Sequence, residues 1–160
     1  MSYLLCNNNK IKIIIRIVAI HKDQEINYIE KDEILDIYRK IMRHYGRVHK
    51  TPHTEKIDNI LQIVKQHKGD IFEKAAVFIK EIVTAKPRPF VDGHKRVAWI
   101  AAVRFLELNG YHFFDLSKLD DMDFIGKNIV LYLVQIQQKR TTNINQIRAW
   151  LLSLFIQKVK

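Results

Sequence analysis

The hydrophobic positions of this chain recur every three or four residues over most of its length, which is the spacing of one face of an α-helix. This spacing predicts a helix from about Lys31 to near Gly46, and a second helix from Glu55 that Thr54 caps. A polar and basic loop over 47–54 separates the two helices. The apolar positions that define them are Ile34, Ile37, Tyr38 and Ile41 in the first, and Ile57, Ile60, Leu61 and Val64 in the second.

Two later segments are apolar around most of their circumference. Residues 71–84 predict a helix with only a thin polar face, and a helix from His94 to Asn109 is apolar on nearly every side. Such a helix belongs in the middle of a bundle. Gly110 ends it, because glycine adopts the left-handed conformation at low cost. A short aromatic connector at 111–115 and two helices, at about 119–138 and 143–159, complete the pattern.

The isoleucine-rich stretch 11–20 has a different pattern, dense in β-branched residues, and predicts a strand. Lys12 and Arg16 interrupt the run, whereas a membrane span needs about 20 apolar residues, so no membrane span is expected. The fold expected from these patterns is a mainly α-helical bundle around a buried central helix. We expect a small β element near its N-terminus and a single domain over 1–160, with 1–26 as a β extension.

Length and composition agree with one globular domain. The chain has 160 residues, of which 48% are hydrophobic and 28% charged. Its single cysteine, Cys6, excludes an intramolecular disulfide and a cysteine-based zinc cage. Since no signal peptide is evident, we expect a soluble cytoplasmic protein. The net charge of +10 favours anionic partners, either nucleotides, nucleic acid or an acidic protein surface.

The segment 88–96, Arg-Pro-Phe-Val-Asp-Gly-His-Lys-Arg, carries the candidate chemistry. A helix N-terminus that follows a glycine and bears Lys95 and Arg96 is suited to holding phosphates. Asp92, just before Gly93, is either a helix cap or a metal-binding carboxylate. The plainer interpretations are that the two cations form a solvated turn and that Phe90 is an ordinary core residue.

This segment resembles the signature of the Fic/Doc (Fido) family, which reads His-x-Phe-x-Asp/Glu/Asn-Gly/Ala-Asn-Gly/Lys-Arg. Arg88 stands at the position of the family's catalytic histidine, and His94 at the position of its asparagine. The five positions that match are Phe90, Asp92, Gly93, Lys95 and Arg96.

The resemblance is closest to the Doc (death-on-curing) toxin branch. Lys95-Arg96 is similar to the Lys-Arg of Doc, and Trp99 stands where the longer Fic motif has a second arginine. The resemblance runs from about Tyr28 to the C-terminus, and residues 1–26 have no clear counterpart in it.

The resemblance implies a protein that transfers AMP or phosphate from ATP, or another nucleoside triphosphate with Mg²⁺, to a protein hydroxyl. Asp92 would hold Mg²⁺ and Phe90 would anchor the turn. Loop 47–54 would be the flap that pairs with a protein target, and an antitoxin-like small protein is an implied partner. The residues that would bind the phosphates are Gly93, His94, Lys95 and Arg96.

Arg88 cannot replace the family's general base, because a guanidinium with a pKa above about 12 stays protonated. We therefore expect a catalytically impaired relative, a pseudoenzyme that keeps its phosphate site. Two alternatives stay open. One is an active phosphoryl- or nucleotidyltransferase with altered residues, in which His94 is the substitute base. The other is a basic nucleic-acid-binding module, although no DNA- or RNA-binding motif accompanies the charge.

Overall fold

The computed structural model describes residues 25–48, 50–113 and 122–157. Most of these residues are helical, which confirms the predicted mainly α-helical class. None of the helices in these ranges has the length and apolar character that a membrane span requires. The helices are α1 (Lys31–His44), α2 (Thr54–Gln66), α3 (Ile71–Thr84), α4 (His94–Leu108), α5 (Met122–Gln137) and α6 (Ile144–Leu154), and the strands are β1 (Tyr111–Phe113) and β2 (Phe155–Gln157).

Helix α3 lies at the centre of the bundle, packed against α2, α4, α5 and α6. A capping box starts it: the Asp70 carboxylate accepts a hydrogen bond from the Glu73 backbone N–H, and the Glu73 carboxylate accepts one from the Asp70 N–H, both at 2.8 Å. The Arg148 Nε of α6 also donates to Asp70, at 2.8 Å. The N-terminus of α3 is thereby connected to α6.

Helix α4 is buried on most of its circumference, but not on all of it. Its residues 97, 98, 101, 102, 105 and 106 are in the core. Arg96, Ile100 and Arg104 are exposed, and because they are four residues apart they share one face. The expectation of a helix buried on nearly every side is wrong for this face, which lies beside the cavity described below.

The C-terminal part of the chain differs from the sequence prediction. The last helix ends at Leu154 rather than near 159, and Phe155–Gln157 pairs antiparallel with Tyr111–Phe113. The first three residues of the predicted aromatic connector 111–115 therefore form strand β1, and the other two lie outside the described residues. The rings of Phe113 and Phe155 lie 5.5 Å apart, and Trp99 lies 5.6 Å from Phe113. These contacts stabilise a strand pair whose partners are more than 40 residues apart, which local periodicity cannot predict.

Two other expectations concern the ends of elements. Thr54 is the first residue of α2, and the cap position is His53, which makes no side-chain capping hydrogen bond. Thr54 is therefore not the cap. The strand expected at 11–20 lies outside the described residues and stays a prediction.

Candidate functional site

The turn between α3 and α4 is anchored by contacts with α1 and with the residue just before α2. Phe90 is fully buried, and its ring centroid lies 4.8 Å from that of Tyr38 on α1. The His53 backbone N–H donates to the Pro89 carbonyl at 2.9 Å, and the Tyr38 hydroxyl donates to the Lys50 carbonyl at 3.1 Å. Phe90 is therefore a core residue that packs beneath the motif turn, and its role as an anchor stays a prediction.

Gly93 is the N-cap of α4 and adopts a left-handed conformation with φ of 71°. A Cβ at this position would meet only the flexible end of Met42, so it is the left-handed conformation that favours glycine here. No side-chain capping hydrogen bond is made at this end of α4 by the described residues. The first-turn N–H groups of a helix have no partner within the helix, and they attract anions.

Asp92 does not cap α4. Its Oδ1 accepts from the N–H of Gly93, the cap residue itself, at 2.7 Å. Its Oδ2 forms an ion pair with Arg47, which lies in the turn after α1. The pKa of Asp92 lies below its usual value, mainly because the carboxylate accepts a hydrogen bond from Arg47. The carboxylate is therefore ionised at neutral pH.

A cavity of about 800 Å³ lies between α1, the N-terminus of α4 and α5. It is lined by residues 92–96, so five of the seven predicted site residues meet in one place. The polar residues that α1 and its following turn add are Lys40, His44, Tyr45 and Arg47. The larger apolar residues of the lining are Ile37, Ile41, Trp99, Ile100, Ile129, Val130 and Leu133.

The turn after α1 adds two residues to the candidate site that the sequence analysis did not name for it. Arg47 pairs with Asp92, and the Arg96 guanidinium lies 4.0 Å from the ring centroid of Tyr45, a cation–π contact. The only sequence signal for Arg47 was that it begins the basic loop 47–54, and Tyr45 lies before that loop. Because these residues are far from the motif in sequence, only the packing of α1 against α4 places them in the site.

Lys95 and His94 have unusual environments. The Lys95 Nζ donates to the Gln137 Oε1 of α5 at 2.8 Å, and burial, with Arg88 and Arg96 nearby, lowers the Lys95 pKa.

His94 is only 5% exposed, and its Nε2 has no hydrogen-bond partner among the described residues. Burial, then the nearby charges of Lys95 and Arg88, lower the pKa of His94 to about 4. Its imidazole is neutral at pH 7.

Arg88 does not line the cavity that holds the other motif residues. Its exposed side chain lines a separate cavity of about 570 Å³ at the C-terminal ends of α3 and α5. Gln137 also lines this second cavity, so its hydrogen bond with Lys95 lies between the two cavities. The structure thus brings 92–96 together and places Phe90 in the core. Arg88 lies on the wall of the second cavity, near enough for its charge to lower the pKa of His94 and Lys95.

Asp92 fits the requirements of a magnesium ligand. Mg²⁺ is usually held by one or two carboxylates together with substrate phosphates and water. The Asp92 carboxylate is ionised, and 41% of its side chain is exposed at the cavity wall. The exposed ion pair with Arg47 would oppose Mg²⁺ binding only weakly, since such pairs contribute about 0–1 kcal/mol.

A mainly helical domain with a basic, glycine-headed helix N-terminus in a cavity wall is suited to binding phosphate groups. The model of the Fic/DOC family matches residues 17–106, more than half of the chain, and the chain belongs to this family. The match contains the motif and most of α4. It begins earlier than the resemblance from Tyr28 and ends before β1. No curated protein matches the chain significantly.

The His94 environment predicts that stability falls with acidification. The folded-state pKa of about 4 lies below the ordinary value of 6.5, so the unfolded chain takes up the proton first. The stability that neutral His94 contributes is fully present above pH 6.5 and is lost as the pH falls toward 4. Urea unfolding between pH 7.5 and 4.5 should show a loss of about 1 to 3 kcal/mol from this group. A His94→Asn variant should lose less stability over this interval, and an unchanged slope would contradict the assignment.

Proposed function

We propose that this chain is a Doc-like member of the family that binds a nucleoside triphosphate with Mg²⁺ and is impaired in transfer. The reaction of its relatives, transfer of phosphate or AMP from ATP to a protein hydroxyl, is the ancestral activity we infer. The observation that carries the proposal is that the phosphate-binding part of the motif is assembled while an arginine, which cannot accept a proton, stands at the position of the family's histidine. The phosphate-binding residues 92–96 share one cavity, while Arg88, at the position of the family's histidine, lies outside it.

The charges around the first cavity support phosphate binding. Lys40, Arg47, Lys95 and Arg96 line it, and Asp92 is the one carboxylate among the described lining residues. The N-terminus of α4 adds backbone N–H groups and the positive end of the helix dipole. Asp92 would hold Mg²⁺, which neutralises charge on the phosphate chain. Such a site works by positioning and charge neutralisation.

The loss of the base at the position of the family's histidine supports impaired transfer. When the target oxygen bonds to phosphorus, the bond to the leaving group breaks; pyrophosphate leaves when AMP is transferred, and ADP leaves when phosphate is transferred. The hydroxyl proton must go to a base, and the guanidinium of Arg88 cannot accept it. His94 is neutral and can accept a proton, but its burial and its pKa of about 4 make it a weak base.

One observation favours the alternative of an active transferase. His94 lines the cavity, and its buried Nε2 has no hydrogen-bond partner among the described residues. A bound hydroxyl or phosphate could supply that partner. If His94 is the substitute base, His94→Ala should abolish transfer; transfer that survives this change would remove His94 from the mechanism.

The relationship to the family also supports two kinds of protein partner. A target protein would supply the acceptor hydroxyl. An antitoxin-like small protein would cover the site, as in active toxins of the Doc branch. Binding of either partner should change when the first cavity is filled with nucleotide.

Nucleotide binding is the direct test of the proposal. Isothermal titration with ATP and Mg²⁺ should show one saturable site, and Lys95→Gln or Arg96→Gln should weaken it roughly 10- to 100-fold, since a hydrogen bond to a charged group contributes about 1.5–3 kcal/mol. Lys68→Gln is the matched control, because Lys68 is exposed and lies outside both cavities. Equal affinities for all four proteins, or no binding at all, would contradict the proposal.

A further inference from the structure

The second cavity carries an excess of positive charge. It is formed by the end of α3, the turn that follows, and the end of α5. Lys86, Arg88 and Lys139 line it, and no described carboxylate does. Its volume of about 570 Å³ is within the range of small-molecule sites.

The three cations have no partners in the described part of the chain. Neither an ion pair nor a side-chain hydrogen bond is made there by Lys86, Arg88 or Lys139. Like charges around one concave surface repel one another, and an anion bound between them relieves this repulsion.

The dipoles of α3 and α5 explain only part of the positive charge at the second cavity. Cations are favourable at helix C-termini, but the effect falls off within the last turn. Helix α3 ends at Thr84 and α5 ends at Gln137, so Arg88 lies four residues beyond the end of its helix.

We propose that this second cavity is an anion site for a phosphate monoester, distinct from the site lined by residues 92–96. A phosphate dianion offers three terminal oxygens, which match one guanidinium and two ammonium groups better than a carboxylate with a single charge. The site goes beyond the proposed function and does not require that a nucleotide binds. The Lys95–Gln137 hydrogen bond separates the two sites.

The test is a titration at constant ionic strength with inorganic phosphate and with a phosphoserine peptide, each in the presence and absence of a non-hydrolysable ATP analogue with Mg²⁺. We expect saturable binding in all four cases, with backbone amide shifts in NMR spectra at Ala85 and Lys139. Arg88→Gln/Lys139→Gln should weaken it at least about tenfold, as expected for the loss of charged contacts. The control Lys68→Gln/Lys127→Gln removes the same net charge from exposed positions outside both cavities.

Equal affinity for phosphate and peptide identifies a small phosphorylated ligand, and much tighter binding of the peptide identifies a phosphorylated protein; both support the site. No saturable binding, or equal loss in the two double variants, overturns it. Complete competition by the ATP analogue also overturns it, because one site would then explain both ligands. Failure of the analogue to bind bears only on the proposed function, since the phosphate titrations of the free protein still decide this site.

Discussion

An Arg88→His variant is expected to transfer label from ATP to protein about 100 to 10,000 times faster than the wild-type chain. This is the range that a positioned general base contributes. Position 88 lies close to His94 and Lys95, whose pKa values the charge of Arg88 lowers, so an imidazole there is near the phosphate-binding residues. An imidazole titrates near neutral pH and can accept the hydroxyl proton, whereas the arginine guanidinium stays protonated. The measurement is protein labelling in a cell lysate with ATP labelled at either the α or the γ phosphate. Label from the α position identifies AMP transfer, and label from the γ position identifies phosphate transfer.

Two further variants control this experiment. Arg88→Gln removes the positive charge without adding a base, so it should stay as slow as the wild-type chain. Arg88→His/His94→Asn completes the family motif and tests whether the buried imidazole hinders the restored site. If the wild-type chain labels protein as well as Arg88→His does, the interpretation of Arg88 as the lost base is wrong.

A Lys74→Met variant is expected to lose about 2–3 kcal/mol of unfolding free energy. Lys74 is buried on α3, and its Nζ donates to the carbonyls of Val64, Lys65 and His67 at 3.0, 3.1 and 2.6 Å. Methionine keeps most of the packing of the stem but leaves these carbonyls at the end of α2 without their charged donor. For a chain of this size the loss corresponds to about 5–10 °C in Tm, which thermal unfolding measures.

Lys65→Met is the matched control for this substitution. The Nζ atoms of Lys65 and Lys74 both lie 5.6 Å from the centroid of the Tyr28 ring, so both variants lose the same type of cation–π contact. Lys65 is exposed, and its loss should cost no more than about 1 kcal/mol. Equal destabilisation by the two substitutions would assign the effect to the aromatic contact instead of to the carbonyls.

The helical part of the fold follows closely from the sequence. Helices α1 to α4 begin and end within a few residues of the limits that the apolar spacing predicted. Helix α3 has only a thin polar face, and it lies at the centre of the bundle. The strand pair β1–β2 could not be predicted in this way, because each strand has three residues and its partner is distant in the chain. A short strand of this kind becomes stable only through its pairing and its aromatic contacts.

The candidate site likewise has one part that the sequence predicts and another part that it does not. The motif 88–96 is continuous in sequence, so its residues can be named from the sequence alone. Arg47 and Tyr45 are about 45 residues away, and neither belongs to a motif; the packing of α1 against α4 brings them to Asp92 and Arg96. The low pKa of His94 likewise depends on burial, which residue type alone does not reveal.

By itself, the sequence determined the helical class, the family signature and the loss of the usual histidine, because each of these depends on residues that are close together in the chain. The tertiary structure decided which side chains share a cavity. It places Arg88 in a different cavity from residues 92–96, although only four positions separate it from Asp92. The physical reason is that the direction of a side chain at a turn is set by the elements packed around it, here the ends of α3 and α5, and not by its distance along the chain.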